Sequence, residues 1–339
     1  MSADRACRER PSLFQARGWY MHISVLGMHR SGTSLVAGIL GVAGVYLGED
    51  DDLVGADQWN SAGYWEHSAL IQFDDGLLRH FGGTWYAPPM LVDGWLEDAV
   101  VVTWLSEAQA YVEARFGKRA LWAHKEPRAT LLLPFWNKII PETKQIICVR
   151  NPLDVAASLY SRDGMVLEYG AALWHIYTVR ALMDTAADSR CVVHYEDIVK
   201  DYRTALSPLF AFTGMLNALT DETWRNIGKH VNIDLKHHGH TMADLLSNPN
   251  VLEPTKRLYR ALVEHDTAEL ESGEFKSERV LRQLYDYVHY HRRAFDLLEK
   301  TREENAEMET LRRVLNSRSH RMASSLRDVF TKWQGMRSR

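Results

Sequence analysis

The sequence predicts an α/β fold: a mostly parallel sheet flanked by helices, followed by a helical C-terminal appendage. Strand-like apolar runs alternate with helix-patterned segments from Ile23 to about His230, the order that places helices on the faces of a parallel sheet. A glycine-framed loop joins the first run to the first helix, and from about Lys256 the pattern turns helical and charged.

The first strand is Ile23 to Leu26, which enters the loop Gly27-Met28-His29-Arg30-Ser31-Gly32-Thr33-Ser34. An apolar helix from Ser34 to Gly44 follows. Strand, loop and helix start together make an anion site, because free N–H groups converge there and the helix dipole favours negative charge. Against the nucleotide pattern G-x4-G-K-[ST], Gly27, Gly32 and Ser34 match, Thr33 stands at the lysine position, and Arg30 supplies positive charge from within the loop. The sheet is thus P-loop-type without its lysine, which argues against ordinary nucleoside-triphosphate chemistry.

Helices are expected at Ser68 to Phe81 and Trp95 to Phe116, separated by a block rich in Gly, Pro and aromatics that includes Trp85, Tyr86, Pro88 and Pro89. That block suits a wall for a sugar or aromatic ring, although tryptophan is more often core. Ala120 to Ala123 and Gln145 to Val149 read as buried strands. Asn151 is a plausible helix cap and Pro152 a first helical residue, opening a helix to Arg162. Arg150 then sits at a strand's C-terminal end, where open α/β sheets bind ligands, and Ser158 lies two turns into the helix. Further elements are a helix from Gly170 to Ala186, a strand from Cys191 to His194, and a helix from Tyr202 to Thr213.

The chain has 339 residues, 46% hydrophobic and 25% charged, enough for one large domain and an appendage. Its net charge of −4 gives no bias toward nucleic acid, and no recognition motif is present. Three cysteines, Cys7, Cys148 and Cys191, are widely spaced and suggest neither disulfides nor zinc. No run reaches transmembrane length and no secretory signal is read, so a cytoplasmic placement is expected. Residues 1–20 read as a loosely ordered extension, with Met21 as an alternative start. Residues 21–245 are expected to form the α/β domain and 246–339 the appendage.

In the appendage Leu281, Leu284, Val288, Phe295 and Leu298 follow three-four spacing with His291 filling the gap, which suits a long helix or short coiled coil and offers a homo-oligomer surface. Residues 312–339 hold eight Lys/Arg against one acid, Asp328, with Met322, Leu326, Phe330 and Trp333 among them. Such a tail can lie on the anionic inner membrane surface or remain solvated.

With these motifs in place, the chain resembles sulfotransferases that use 3'-phosphoadenylyl sulfate (PAPS). Their 5'-phosphate loop, G-x-x-[RK]-[ST]-G-[ST]-[ST]-L, is read here from Gly27 to Leu35, and their 3'-phosphate pair, an arginine at a strand end with a serine eight residues on, as Arg150 and Ser158. Asn60-Ser61-Ala62-Gly63-Tyr64-Trp65-Glu66 and Leu121-Trp122-Ala123-His124-Lys125-Glu126-Pro127-Arg128 resemble a bacterial branch associated with surface glycans, as does Val192-Val193-His194-Tyr195-Glu196-Asp197. The resemblance runs from Ile23 to His240. One departure is Glu126, where the branch usually has aspartate.

The resemblance implies sulfuryl transfer from PAPS to a carbohydrate or glycolipid hydroxyl, leaving adenosine 3',5'-bisphosphate, without a metal. Donor contacts would come from Gly27, His29, Arg30, Ser31, Gly32, Thr33, Ser34, Arg150 and Ser158, with a basic loop at Lys236, His237 and His238. Arg30 and Lys125 would stabilise charge on the leaving oxygen. Glu66 is the first choice of general base, with His124 and His67 as alternatives. Tyr64, Trp65, Trp85 and Arg128 would hold the acceptor. Two rivals remain at this point: a P-loop kinase, and a non-catalytic glycan- or membrane-binding protein on the same scaffold.

Overall fold

The computed structural model describes residues 21–56, 63–233, 239–293, 296–297, 300–301 and 304–309. The N-terminal extension, Asn60 to Ala62, the Lys236-His237-His238 loop and the basic tail from 312 onward lie outside the described residues.

Four parallel strands form one sheet: β1 (Met21–Leu26), β2 (Leu121–Lys125), β3 (Lys144–Val149) and β4 (Arg190–His194), in the order β2-β1-β3-β4. The register sets Val25 against Lys125, Leu26 against Ile147, and Val149 against His194. Because β1 leads outward to β2 while β3 leads the other way to β4, the connections diverge at the C-terminal ends of β1 and β3. Open α/β sheets bind ligands at such a crevice.

The helices are α1 (Thr33–Val42), α2 (Ser68–His80), α3 (Ala99–Phe116), α4 (Leu133–Ile139), α5 (Pro152–Asp163), α6 (Leu167–Met183), α7 (Tyr195–Lys200), α8 (Tyr202–Phe212), α9 (Asp221–Ile233), α10 (Met242–Ser247), α11 (Glu253–Val263) and α12 (Thr267–Ser272). Residues 278–293 are helical as well. The expected α/β architecture is therefore observed. Two helices are displaced by several residues: α6 runs from Leu167 to Met183 rather than from Gly170 to Ala186, and α3 begins at Ala99 rather than Trp95, because the Asp98 side chain accepts from the N–H groups of Val100 and Val101 and caps the helix there. Among the described residues no helix is long and apolar enough to cross a membrane.

The core on one face of the sheet joins Ile23, Val25 and Ile146 to Leu35 and Ile39 of α1, Phe210 of α8 and Ile227 of α9. Two compact units are found, Met1–His289 and Tyr290–Arg339. Residues beyond the expected boundary at 245 thus belong with the sheet domain, and His175 of α6 shows why. Its ring nitrogens bond the Thr255 hydroxyl (3.0 Å) and the Phe275 carbonyl (2.8 Å), tying α11 and the turn after α12 to the central helix. In the second unit the described residues, among them 304–309, are helical.

A buried polar chain crosses the sheet. Thr143 donates to the Ile140 carbonyl, so its oxygen accepts from His22 Nδ1 at 2.8 Å. His22 Nε2 then accepts from His124 Nδ1 at 2.8 Å, and His124 Nε2 faces the Ser24 hydroxyl at 3.3 Å. Burial, then the adjacent His124, holds His22 well below the usual imidazole range; burial, then His67, brings His124 down to about 4. A histidine depressed in the fold protects stability above its unfolded value near 6.5 and forfeits it as pH falls toward 4. His124 alone is expected to remove about 2 kcal/mol between pH 7 and pH 5. His124→Asn should therefore shrink the drop in thermal midpoint between these pH values relative to the wild type.

Candidate active site

All four strands deliver residues to one cavity. From the β1 loop come His29, Arg30, Gly32, Thr33 and Ser34; β2 ends in Lys125; Arg150 follows β3 directly; and Tyr195 follows β4. Ser158 and Arg162, one helical turn apart on α5, face it together, and Tyr64 and Glu66 approach from the segment before α2.

Two glycines make the loop possible. Gly27 has φ 135°, and a Cβ there would lie 2.6 Å from the Cys148 carbonyl oxygen. Gly32 has φ 88°, and its Cβ would meet the Tyr195 ring at 2.7 Å. Gly32→Ala is therefore expected to cost both stability and anion binding, read as a lower thermal midpoint and a weakened calorimetric isotherm for adenosine 3',5'-bisphosphate. Gly32 caps α1 without a side-chain bond, and the first turn holds no acid. The N–H groups of that turn are left for an anion.

The cations at the cavity are held by specific partners. Arg30 Nε donates to Ser158 Oγ at 2.8 Å, so residues expected at different ends of a donor touch each other here. Arg150 Nη1 donates to the Arg30 carbonyl at 3.3 Å, and its guanidinium lies 4.4 Å from the Tyr195 ring centroid. Lys125 Nζ forms a close ion pair with Glu66 Oε1, and both side chains are nearly buried. The carboxylate assigned by sequence to the base role is thus the counter-ion of the lysine.

Behind the lysine, Glu126 is wholly buried and accepts from Arg128 N (3.0 Å) and Nη1 (2.7 Å), while Arg128 Nε lies 2.7 Å from Asp75. Asp74 accepts from Trp136 Nε1 at 2.8 Å. Burial, then Glu66, pushes Glu126 up to about 7; burial, then Glu126, raises Asp74. Burial works against the Arg128 charge, but Glu126 and Asp75 outweigh it and hold the guanidinium firmly ionised.

A second cavity adjoins the first and is lined by Trp85, Arg128 and Asp163, with His29, Tyr64, Glu66 and Arg162 shared between the two. The Gly/Pro/aromatic block that carries Trp85 is hung from α6: Tyr177 donates to the Trp85 carbonyl (2.8 Å) and Tyr169 to the Tyr86 carbonyl (2.7 Å). Arg162 stacks 5.4 Å from Trp85 and chelates Asp163.

Two expected site residues lie elsewhere. His124 is bonded within the buried histidine chain and lines neither cavity, because alternation along β2 turns it away from the face that Lys125 presents. Trp65, at φ 58°, packs against the hydrophobic core instead of either cavity. His67, the other histidine considered, contacts Tyr111 and Asp52. Gly27 and Ser31 frame the loop without lining the cavity: Gly27 N donates to Thr130 Oγ1, and Ser31 is buried. Arg162, Asp163 and Tyr195 were missed. Arg162 had a signal, since it stands four residues after Ser158 and so shares its helical face.

A family model described as the sulfotransferase family matches residues 22–217. The chain belongs to the sulfotransferase family. Its fold resembles solved sulfotransferases at low identity. The sulfotransferase domain of the Synechococcus PCC 7002 olefin synthase is 19% identical, with 80% of this chain and 96% of that one covered and a TM-score of 0.39. Sulfotransferase STF9 from Mycobacterium avium is 12% identical, covering 75% and 77%, with a TM-score of 0.41. Mouse sulfotransferase SULT7A1, solved with PAP, is 16% identical, covering 80% and 92%, with a TM-score of 0.35. No curated protein matches this sulfotransferase in sequence. The matched region of the sulfotransferase spans all four strands and both phosphate motifs.

Proposed function

We propose that the chain transfers the sulfuryl group of PAPS to a hydroxyl of a carbohydrate, free or on a glycolipid. The observation that carries this reading is the convergence of Arg30, Lys125, Arg150 and Ser158 with the uncapped start of α1 on one cavity. The first turn of α1, with the Thr33 and Ser34 hydroxyls, suits the donor's 5'-phosphate. Arg150 and Ser158 suit the 3'-phosphate, the group that separates PAPS from ATP. PAPS supplies a neutral SO3 unit and a phosphate leaving group. Arg30 and Lys125 would hold fixed positive charge where the leaving oxygen develops negative charge, which favours the transition state over the ground state.

The second cavity suits the acceptor. Trp85 offers a flat apolar face, and its charged neighbours Arg162 with Asp163, and Arg128 with Asp75 and Glu126, neutralise one another. A neutral polyhydroxylated ring fits that chemistry better than an ion does. The reaction is placed in the cytoplasm, with the basic tail as a contact to the inner membrane surface and the C-terminal helices as a homo-oligomer surface. Both belong to the proposal.

The test is calorimetric titration with adenosine 3',5'-bisphosphate in metal-free buffer, with ADP as comparison. Binding much tighter than that of ADP supports both phosphate sites. No binding, or a preference for ADP with magnesium, overturns the reading in favour of a kinase.

A further inference from the structure

Sulfuryl transfer requires a group that takes the acceptor's proton, and Glu66 is already engaged by Lys125. His67 and His124 are bonded away from the cavities. Among the described residues one imidazole remains in reach: His29, inside the phosphate loop.

We propose that His29 is the general base, a catalytic residue that accepts the proton of the acceptor hydroxyl. Its ring lines both the donor cavity and the adjoining cavity with Trp85, so it stands where the two substrates must meet. It is 8% exposed, and its Nε2 has no hydrogen-bond partner among the described residues. A buried ring nitrogen left unpaired at a cavity wall calls for a partner, and a substrate hydroxyl is a chemically apt one. The Trp85 ring, 4.6 Å away between centroids, and Tyr177, at 6.2 Å, pack beside the imidazole.

Charge sets the order of events. Burial, then Arg128, Arg162, Lys125 and Arg30, keeps His29 well below the usual imidazole range, so it is neutral and able to accept a proton. The facing anions are Glu66 and Asp163. Bound donor adds phosphate and sulfate charge to the same cavity, which offsets the four cations and makes the imidazole more basic. The base is therefore strongest when the donor is in place. In the step itself the acceptor O–H breaks and its proton moves to the imidazole. The acceptor oxygen forms a bond to sulfur, the sulfur's bond to the bridging oxygen breaks, and that electron pair leaves on the phosphate of adenosine 3',5'-bisphosphate.

This inference rests on the PAPS reading, and its test separates the two. Turnover is measured as release of adenosine 3',5'-bisphosphate from PAPS, with 4-nitrophenyl β-glucoside as acceptor and with water alone. His29→Gln is expected to bind adenosine 3',5'-bisphosphate within about threefold of wild type and to turn over about 10²–10⁴-fold more slowly. The wild-type rate should fall with decreasing pH along a one-proton limb that His29→Gln lacks and Glu66→Gln retains. A His29→Gln rate near wild type, or loss of the limb in Glu66→Gln instead, overturns the assignment. Should His29→Gln fail to fold, the wild-type profile decides: a rate without any one-proton acid limb over the pH range in which the protein stays folded, or no turnover by donor-bound protein, also overturns it. Absence of adenosine 3',5'-bisphosphate binding by the wild type removes the PAPS reading itself, and the base with it.

Discussion

Arg150→Ala is expected to lower the affinity for adenosine 3',5'-bisphosphate by about 100-fold, or about 3 kcal/mol, the scale of removing one member of a buried charged pair. The side chain is 7% exposed, and its contacts include the Tyr195 face and the Arg30 carbonyl. The variant is expected to keep its fold and to lose about 1 kcal/mol with the cation–π contact. Arg150→Lys should recover only part of the affinity, since a point charge cannot make the paired donor geometry of a guanidinium. Calorimetry reads both variants, and an unchanged dissociation constant for Arg150→Ala would remove the 3'-phosphate assignment.

Lys125→Met affects two quantities at once. Turnover is expected to fall about 10²–10³-fold, as when a preorganised donor to a developing oxyanion is deleted. Stability also falls, by about 3 kcal/mol, because Glu66 is left as an unpaired buried charge. The double variant Lys125→Met/Glu66→Gln separates the effects. It should regain most of the lost thermal midpoint and none of the lost turnover. If the double variant recovers activity together with stability, the lysine is structural and the catalytic role assigned to it fails.

What the sequence revealed and what it concealed follow from distance along the chain. The strands, the loop glycines and the Arg150–Ser158 spacing are local patterns, and they appear within a few residues of where they were expected. The Lys125–Glu66 pair joins residues 59 apart, one on a strand and one in an irregular segment, so no periodicity predicts it. Trp65 turned away because its backbone enters the left-handed region, which no pattern of side chains announces. His124 was different, because the two-residue alternation of β2 already set it opposite Lys125. His29 was read as one more residue of the phosphate loop. Its place between two cavities depends on Trp85, a residue hung from α6 and remote from the loop in sequence.

The way that aromatic block is hung carries an evolutionary consequence. Tyr169 and Tyr177 grip main-chain carbonyls, which every amino acid possesses, so side chains at positions 85 and 86 can be exchanged without releasing the anchor. The residues proposed to hold the donor, by contrast, sit at or just beyond the ends of four strands. A lineage built this way can wander among acceptors while its donor stays constant. New specificities are then reached through a handful of substitutions in one suspended stretch of chain.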